Sequence, residues 1–309
     1  MTTIDDPGPS LGDDHERFDD IDELEVAVFS AESGQQTIVS SAQDAWKYRS
    51  FIAYLTKRDL RTTYLRSYLG WVWSLINPIA EIAIYSLVFG VILAVNRSLP
   101  LAPDGFESFP HYLISGMVIW NFYRATSSKV LNSFTSTVKL RRKLYFPPVA
   151  PAISQTLTVL IQNSLEIGAL ILFYLAWGHV SVKMIVLVPL AIMAALAGLG
   201  VGLLLSVANS RYRDVGYLYS IFLRLFFYLI PIIWSIEFAE ERIGVDWLLP
   251  IVRWNPFAKM IEISRDGTYL HEWSPLVDWL WVGGWSIGLL LVGWTVFARS
   301  SADVAEGST

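Results

Sequence analysis

The 309-residue chain is 53% hydrophobic and only 17% charged, with a mean hydropathy of +0.44, which excludes a soluble domain of ordinary composition. The charge is split: residues 1–45 hold twelve of the 28 acidic residues and a single basic one, Arg17, a net of −11, while the rest of the chain nets +6. The pI of 5.4 therefore describes a tail, and the body behind it is basic, apolar and read as an all-α integral membrane protein.

The N-terminus lacks a basic segment followed by an apolar core, so no signal peptide is expected. Its acidic, Pro- and Gly-containing composition reads as a disordered tail over 1–45, either simply solvated or a docking arm for a basic surface. Residues 46–70 read as an amphipathic interface helix. Arg58, Arg61 and Arg66 alternate there with Leu60, Tyr64, Leu65 and Tyr68, a pattern that suits an anionic membrane surface. The run passes through Leu69-Gly70 into Trp71 and Trp73 without a turn signal, and the next charge is Glu81.

Six segments are long enough to cross a bilayer: Trp71–Val95, Tyr112–Ser136, Val149–Trp177, Met184–Ala208, Gly216–Ile236 and Leu276–Ala298. Together they make a membrane domain over 71–298, followed by a tail at 299–309. The second is interrupted by Arg124 and Lys129 and is counted because the loop charges on either side require a crossing. Cations gather before the first span, in the second-to-third loop (Lys139, Arg141, Arg142, Lys143) and in the fourth-to-fifth loop (Arg211, Arg213). The first-to-second loop holds only Arg97 and the third-to-fourth only Lys183, so both termini are expected in the cytoplasm of a multi-pass plasma-membrane protein.

Loop 138–151 adds Tyr145-Phe146 and three prolines to its cations. It reads as a rigid knob for a partner's groove, or as a loop that merely sets topology. Arg211-Tyr-Arg-Asp214 is either a second contact, a latch from Asp214 to Arg58 or Arg61, or a solvated turn. Before the last span, Asn255-Pro256 has the form of a helix start and Gly267 of its close. That segment is expected to be a re-entrant or interfacial helix at the outer face, either a lid or an inert connector.

Charges within spans need partners or water. Counting ~1.5 Å per residue puts Glu81 and Arg224 at similar depths, and likewise Arg124 and Glu166, so two interhelical pairs are expected. The competing reading has each facing a wet pathway. Tyr85, Phe89, Phe222, Phe226 and Tyr228 lie deep enough to line a channel on which sugar rings stack, although ordinary packing also accounts for any one of them. Gly198-xxx-Gly202 and Gly284-xxx-Gly288 are read as close helix contacts. No GxxxxGK[ST], HExxH or paired-carboxylate pattern occurs, and there is no cysteine, so neither a catalytic nor a metal site is expected.

Arg58-Asp59-Leu60, Tyr64, Ser67, Leu69-Gly70, Trp73 and Pro78 resemble the membrane subunits of Wzm-like polysaccharide ABC exporters, which serve O-antigen, teichoic-acid and galactan export. Phe146-Pro147, Arg213-Asp214 and Asn255-Pro256 with Arg265 extend the likeness across about 46–298, and Pro148 departs from the usual pattern. The resemblance implies a homodimer with two copies of a separate ATPase that carries the ATP and Mg, and no cofactor on this chain. It also implies a polyprenyl-diphosphate-linked polysaccharide moving through a channel between the permeases, with spans one and five lining it. In that frame residues 46–69 are a gate helix, and its Arg58, Arg61, Arg66 and Tyr68 meet the lipid headgroup together with Trp71 and Trp73 just beyond it. Residues 137–145 are a coupling helix, and Lys139, Arg141, Arg142, Lys143, Tyr145 and Phe146 engage the ATPase. No nucleic-acid partner is expected. An ABC permease for a small drug or lipid, a polyprenyl-phosphate sugar transferase and a non-transporting scaffold are the competing readings.

Overall fold

The computed structural model describes residues 38–63, 72–93, 100, 102, 107–137, 140, 146–212, 214–236, 238–239 and 248–306. Among the described residues every regular element is helical. In chain order they are α1 (Ile38–Lys47), α2 (Arg49–Thr63), α3 (Trp73–Tyr85), α4 (Phe109–Ser136), α5 (Ala150–Ala176), α6 (Leu187–Arg211), α7 (Asp214–Leu229), α8 (Leu248–Arg253), α9 (Pro256–Thr268) and α10 (Leu276–Glu306). A π-helix, Ser86–Ile92, prolongs α3, and a 3₁₀ turn, Val182–Val186, leads into α6.

The stretches Leu75–Ile92, Ala150–Ala176, Val182–Arg211 and Leu276–Ser300 are each long and apolar enough to cross a membrane, so the chain is a multi-pass membrane protein. Helices α4 and α7 occupy the places of the other two expected spans. With 28 residues α4 reaches ~42 Å, whereas the 16 residues of α7 reach only ~24 Å.

α4 and α6 form the centre of the bundle. From His111 to Tyr123 every residue of α4 is buried. α6 is apolar on all sides and meets α4 through small residues: a Cβ on Gly198 would lie 2.9 Å from the Tyr123 carbonyl oxygen, and one on Gly202 would lie 2.6 Å from Val130 Cβ. Lipid is as apolar as leucine, so helices in it hold together by dispersion and close approach, which small residues allow. The opposite side of α6 meets α10 even more closely, since a Cβ on Gly293 would overlap the Gly200 carbonyl. The expected contact at Gly284 and Gly288 does not form, because a Cβ at either meets nothing within 4 Å. α10 turns its Gly293 face, not its Gly284 face, to α6.

Several boundaries differ from the sequence reading for local physical reasons. Residues 38–45 are helical: Ala45 is buried against Phe146, Val149 and Phe297, and Trp294 Nε1 donates to Ser41 Oγ at 3.2 Å. The interface segment is divided between α1 and α2 around Tyr48, and its continuation over 64–71 lies outside the described residues. α10 runs through Ala298 to Glu306 because no Gly or Pro stops it. The fifth span, expected to reach Ile236, ends at Leu229 because Pro231 has no N–H and bars the residue before it from helical geometry.

α9 starts as expected, with Asn255 Oδ1 accepting from the Phe257 N–H at 2.9 Å and Pro256 in the first turn. It does not end at Gly267, which lies inside the helix. There a Cβ would sit 2.8 Å from the Lys183 carbonyl oxygen, so this glycine serves the approach of the 3₁₀ turn. Nor is α9 a surface helix. Phe257 packs on Tyr123, halfway along α4, while Ser264 Oγ donates to the Ser115 carbonyl at 2.6 Å and Tyr269 Oη lies 3.4 Å from the Ser108 N–H. α9 is therefore re-entrant, rising from mid-depth to the Phe109 end of α4.

Gly200→Val and Gly293→Val should each destabilise the bundle by ~1–3 kcal/mol through overpacking, whereas Gly284→Ala stays within about 0.5 kcal/mol. Thermal unfolding of the detergent-purified protein distinguishes them, and equal midpoints would remove Gly200–Gly293 as the contact seam.

Candidate functional site

α2 is docked on α5. Ile52, Leu55 and Thr56 are buried, and Thr56 Oγ1 lies 3.3 Å from Ser154 Oγ. Gln155 Nε2 donates to Asp59 Oδ2 at 2.6 Å. The other Asp59 oxygen accepts from Arg58 Nε and Nη2 at 2.9 and 2.7 Å. Arg58 is thus turned along its own helix and does not latch to Asp214, while Arg61 is exposed.

Two polar stripes run from this end toward the middle of the bundle. On α4 they are Asn132, Lys129, Ser128, Arg124 and Asn121; on α5 they are Gln155, Thr158, Gln162 and Glu166. Steps of three and four residues keep each stripe on one helix face. A chamber of about 500 Å³ is lined by Asp59, Thr62 and Thr63 of α2, by Ser128, Lys129, Asn132 and Ser136 of α4 and by Gln155 and Thr158 of α5. A second, of about 440 Å³, shares Ser128 and Lys129 with the first and continues between Glu81 and Tyr85 of α3 and Ser220, Arg224, Phe227 and Tyr228 of α7, over Trp120 and Arg124. The two make one furrow with α4 as its floor.

The two expected ion pairs do not form. Arg124 Nη2 donates to Asn121 Oδ1 at 3.1 Å, and Asn121 Nδ2 donates to Glu166 Oε2 at 2.9 Å, so the amide stands between the charges. Depth alone does not fix the direction a side chain takes from its helix, and Asn121, one turn from Arg124 on the same face, is nearer. Glu81 and Arg224 line the furrow from its two walls without direct contact. Among the described residues ion pairs join Arg58 to Asp59, Lys259 to Glu262 within α9, and Lys259 to Asp278, the last of which ties α9 to α10.

The expected aromatic lining divides. Tyr85 and Tyr228 line the furrow, and Phe222 is exposed. Phe89 and Phe226 are half-buried against the core, Phe226 stacking on Phe222 at 5.2 Å and meeting Phe257 edge-on at 5.5 Å. Tyr85 packs on Phe227 with ring centroids 5.5 Å apart. Trp73 is exposed on α3.

Phe146, expected as a knob for a partner, is 3% exposed and packs on Phe51 of α2 with ring centroids 5.0 Å apart. It belongs to this chain's own core because Pro147 and Val149 fold it back under α2. Arg66, Tyr68 and Trp71, and likewise Lys139, Arg141, Arg142, Lys143 and Tyr145, lie outside the described residues, as does Arg213.

The sequence reading missed Lys129, Asn121, Gln155, Gln162 and Trp120 as furrow residues. The three- and four-residue spacing of polar groups in α4 and α5 was the signal for most of them. It also missed the role of Arg265, which is buried, sits with its guanidinium 3.7 Å above the Tyr112 ring and donates to the Ile232 carbonyl at 2.6 Å.

A multi-pass helical bundle with a charged furrow leading in from one end is the architecture of a membrane-transport subunit. Residues 51–269 match the ABC-2 type transporter family, and the chain belongs to it as the membrane permease of an ABC transporter, with ATP hydrolysis on a separate ATPase and no cofactor on the permease. It is similar to the O-antigen export system permease protein RfbA of Klebsiella pneumoniae, 26% identical over 261 residues that cover 82% of this chain and 93% of that protein. The RfbA of Myxococcus xanthus is 21% identical over 270 residues, 87% of this chain and 99% of the relative. The polysialic acid transport protein KpsM of Escherichia coli is 21% identical over 220 residues, 70% and 81% respectively.

Asn121→Ala should destabilise the protein by ~1–3 kcal/mol, because it strips both Arg124 and the partly buried Glu166 of a partner. Asn132→Ala, at an exposed position of the same stripe, should stay within about 0.5 kcal/mol. Thermal unfolding of the purified permease reads the difference; equal effects would show that the amide bridge does not hold these helices.

Proposed function

We propose that this chain is the permease half of an exporter that moves a polyprenyl-diphosphate-linked polysaccharide from the cytoplasm across the plasma membrane, as a homodimer with two copies of its ATPase. The family match combined with a furrow that begins beside α2 and runs between α3 and α7 carries this reading. Similarity to permeases of O-antigen and polysialic acid transport supports a polymeric sugar as cargo. A path walled by Tyr85, Trp120 and Tyr228 and by three cations suits sugar rings on a phosphate carrier, whereas a small lipid or drug permease calls for a closed aliphatic seam.

In this reading the α2 end and both termini face the cytoplasm, which the excess of Lys and Arg in the first, third and fifth connecting segments supports. Arg61 then lies where anionic headgroups gather, a cation adding about 1 kcal/mol near such a surface. Movement enters through the residues that precede Phe146 in the chain. That ring rests on Phe51, and α2 is bonded to α5 through Asp59 and Gln155. A push there is therefore passed to the mouth of the furrow by packed side chains and not by a flexible tether.

Depletion of the permease in living cells should strand a lipid-linked glycan on the cytoplasmic side, identified by mass spectrometry of the lipid fraction. Purified chain alone turning over nucleotide-sugar would instead make it a transferase and end this reading. Phe146→Ala should leave the ATPase bound to the permease but lower glycan export per ATP hydrolysed by about tenfold, as expected when a large buried ring that couples two elements is lost. Unchanged coupling would sink the mechanical route through Phe51.

A further inference from the structure

The mid-membrane half of the furrow carries more positive charge than the protein balances. Among the described residues, Arg124, Lys129 and Arg224 line one chamber of about 440 Å³ with a single carboxylate, Glu81. The groups that hold the cations are neutral: Arg124 donates to the Asn121 amide oxygen at 3.1 Å and Lys129 to the Gln162 amide oxygen at 2.6 Å. Glu166, which would neutralise Arg124, is reached only through Asn121 and does not line the chamber. Gln162 itself is 7% exposed, and its Nε2 has no hydrogen-bond partner beside the Lys129 ammonium. Buried donors are normally satisfied, and ionised groups at membrane depth are retained for function.

We propose that Arg124, Lys129 and Arg224 form a transit site for a phosphate-bearing lipid headgroup inside the membrane body. The inference rests on the export reading only for the identity of that lipid. An uncharged sugar leaves the excess charge unbalanced, and one carboxylate balances only part of it. A diphosphate brings two or more negative charges and enough acceptor oxygens for two guanidinium forks and an ammonium. Lys129 stands in the wall shared by both chambers and hands the anion from the α2 end to the two arginines. Glu81 repels it from the same chamber, which keeps the dwell short, as passage through a pathway requires. The same phosphate chemistry is available from two sources, a polyprenyl diphosphate carrier and a resident anionic phospholipid.

The test uses the full permease–ATPase complex in nanodiscs, with undecaprenyl diphosphate, undecaprenyl monophosphate and phosphatidylglycerol as probes and native mass spectrometry as readout. The wild-type complex should prefer the diphosphate to the monophosphate by about tenfold, the order of one charge-assisted hydrogen bond. Arg124→Gln, Lys129→Gln and Arg224→Gln should each erase most of that preference, while Arg224→Lys keeps it. Arg124 and Arg224 are exposed, so the arginine variants fold whatever the site binds, and they decide the test if the half-buried Lys129→Gln does not fold. Diphosphate affinity that is unchanged in all three neutral variants, in a complex that still exports glycan, overturns the site and leaves the export reading standing. Loss of bound phosphatidylglycerol with no diphosphate preference in the wild type assigns the cations to a resident lipid and overturns transit. A wild-type complex whose ATPase ignores lipid-linked glycan overturns the export reading itself.

Discussion

Within hydrocarbon, a backbone carbonyl freed from a helix must find a donor inside the protein, at a cost of several kcal/mol if it does not. The turn that follows α7 meets this constraint with side chains. Arg265 Nη2 donates to the Ile232 carbonyl at 2.6 Å, Trp234 Nε1 to the Tyr228 carbonyl at 3.1 Å, and Tyr112 Oη reaches the Trp234 carbonyl at 3.4 Å. Because these bonds exist, α7 can stop at Leu229 and the chain can return to mid-depth before α9. The wall of the furrow that carries Arg224 and Tyr228 owes its place to that stop. So does the ring of Phe257, which fills the space between Tyr123 and Phe226.

The charges of the furrow obey the same rule through a different partner. The Asn121 amide is interposed between Arg124 and Glu166, and the Gln162 amide holds Lys129 alone. An amide satisfies a charge without neutralising it. The path therefore keeps its field, while direct ion pairs would quench it. α4 can afford this face only because its other faces are sealed against α6 and α5 by small and apolar residues.

Much of the architecture was legible in the chain. Apolar lengths and the Asn255-Pro256 start translate into local geometry with few competitors. The misreadings share a cause: they required knowing which way a face points. Gly284 and Gly288 have the spacing of a contact, yet the seam runs through Gly293. Arg124 and Glu166 share a depth, yet Asn121 intervenes. Phe146 has the look of an exposed knob, yet it packs against Phe51 across 95 residues of sequence. Pro231 was visible throughout, and its effect on the fifth span follows from its missing donor. The interior resting place of α9 was not visible, because its charged residues resemble those of a surface helix until Arg265 is seen over Tyr112.

The polar face of α4 also bears on how the chain enters the bilayer. A helix bearing Asn121, Arg124, Ser128, Lys129 and Asn132 from its midpoint onward partitions poorly into lipid by itself, since each central cation opposes insertion by about 2.5–3.5 kcal/mol. Its favourable surroundings, α5 and α6, lie downstream in the chain. During synthesis α4 must wait beside the insertion machinery until those helices emerge and then move into the membrane as a group with them. The polar floor thus ties the insertion of α4 to two helices made after it.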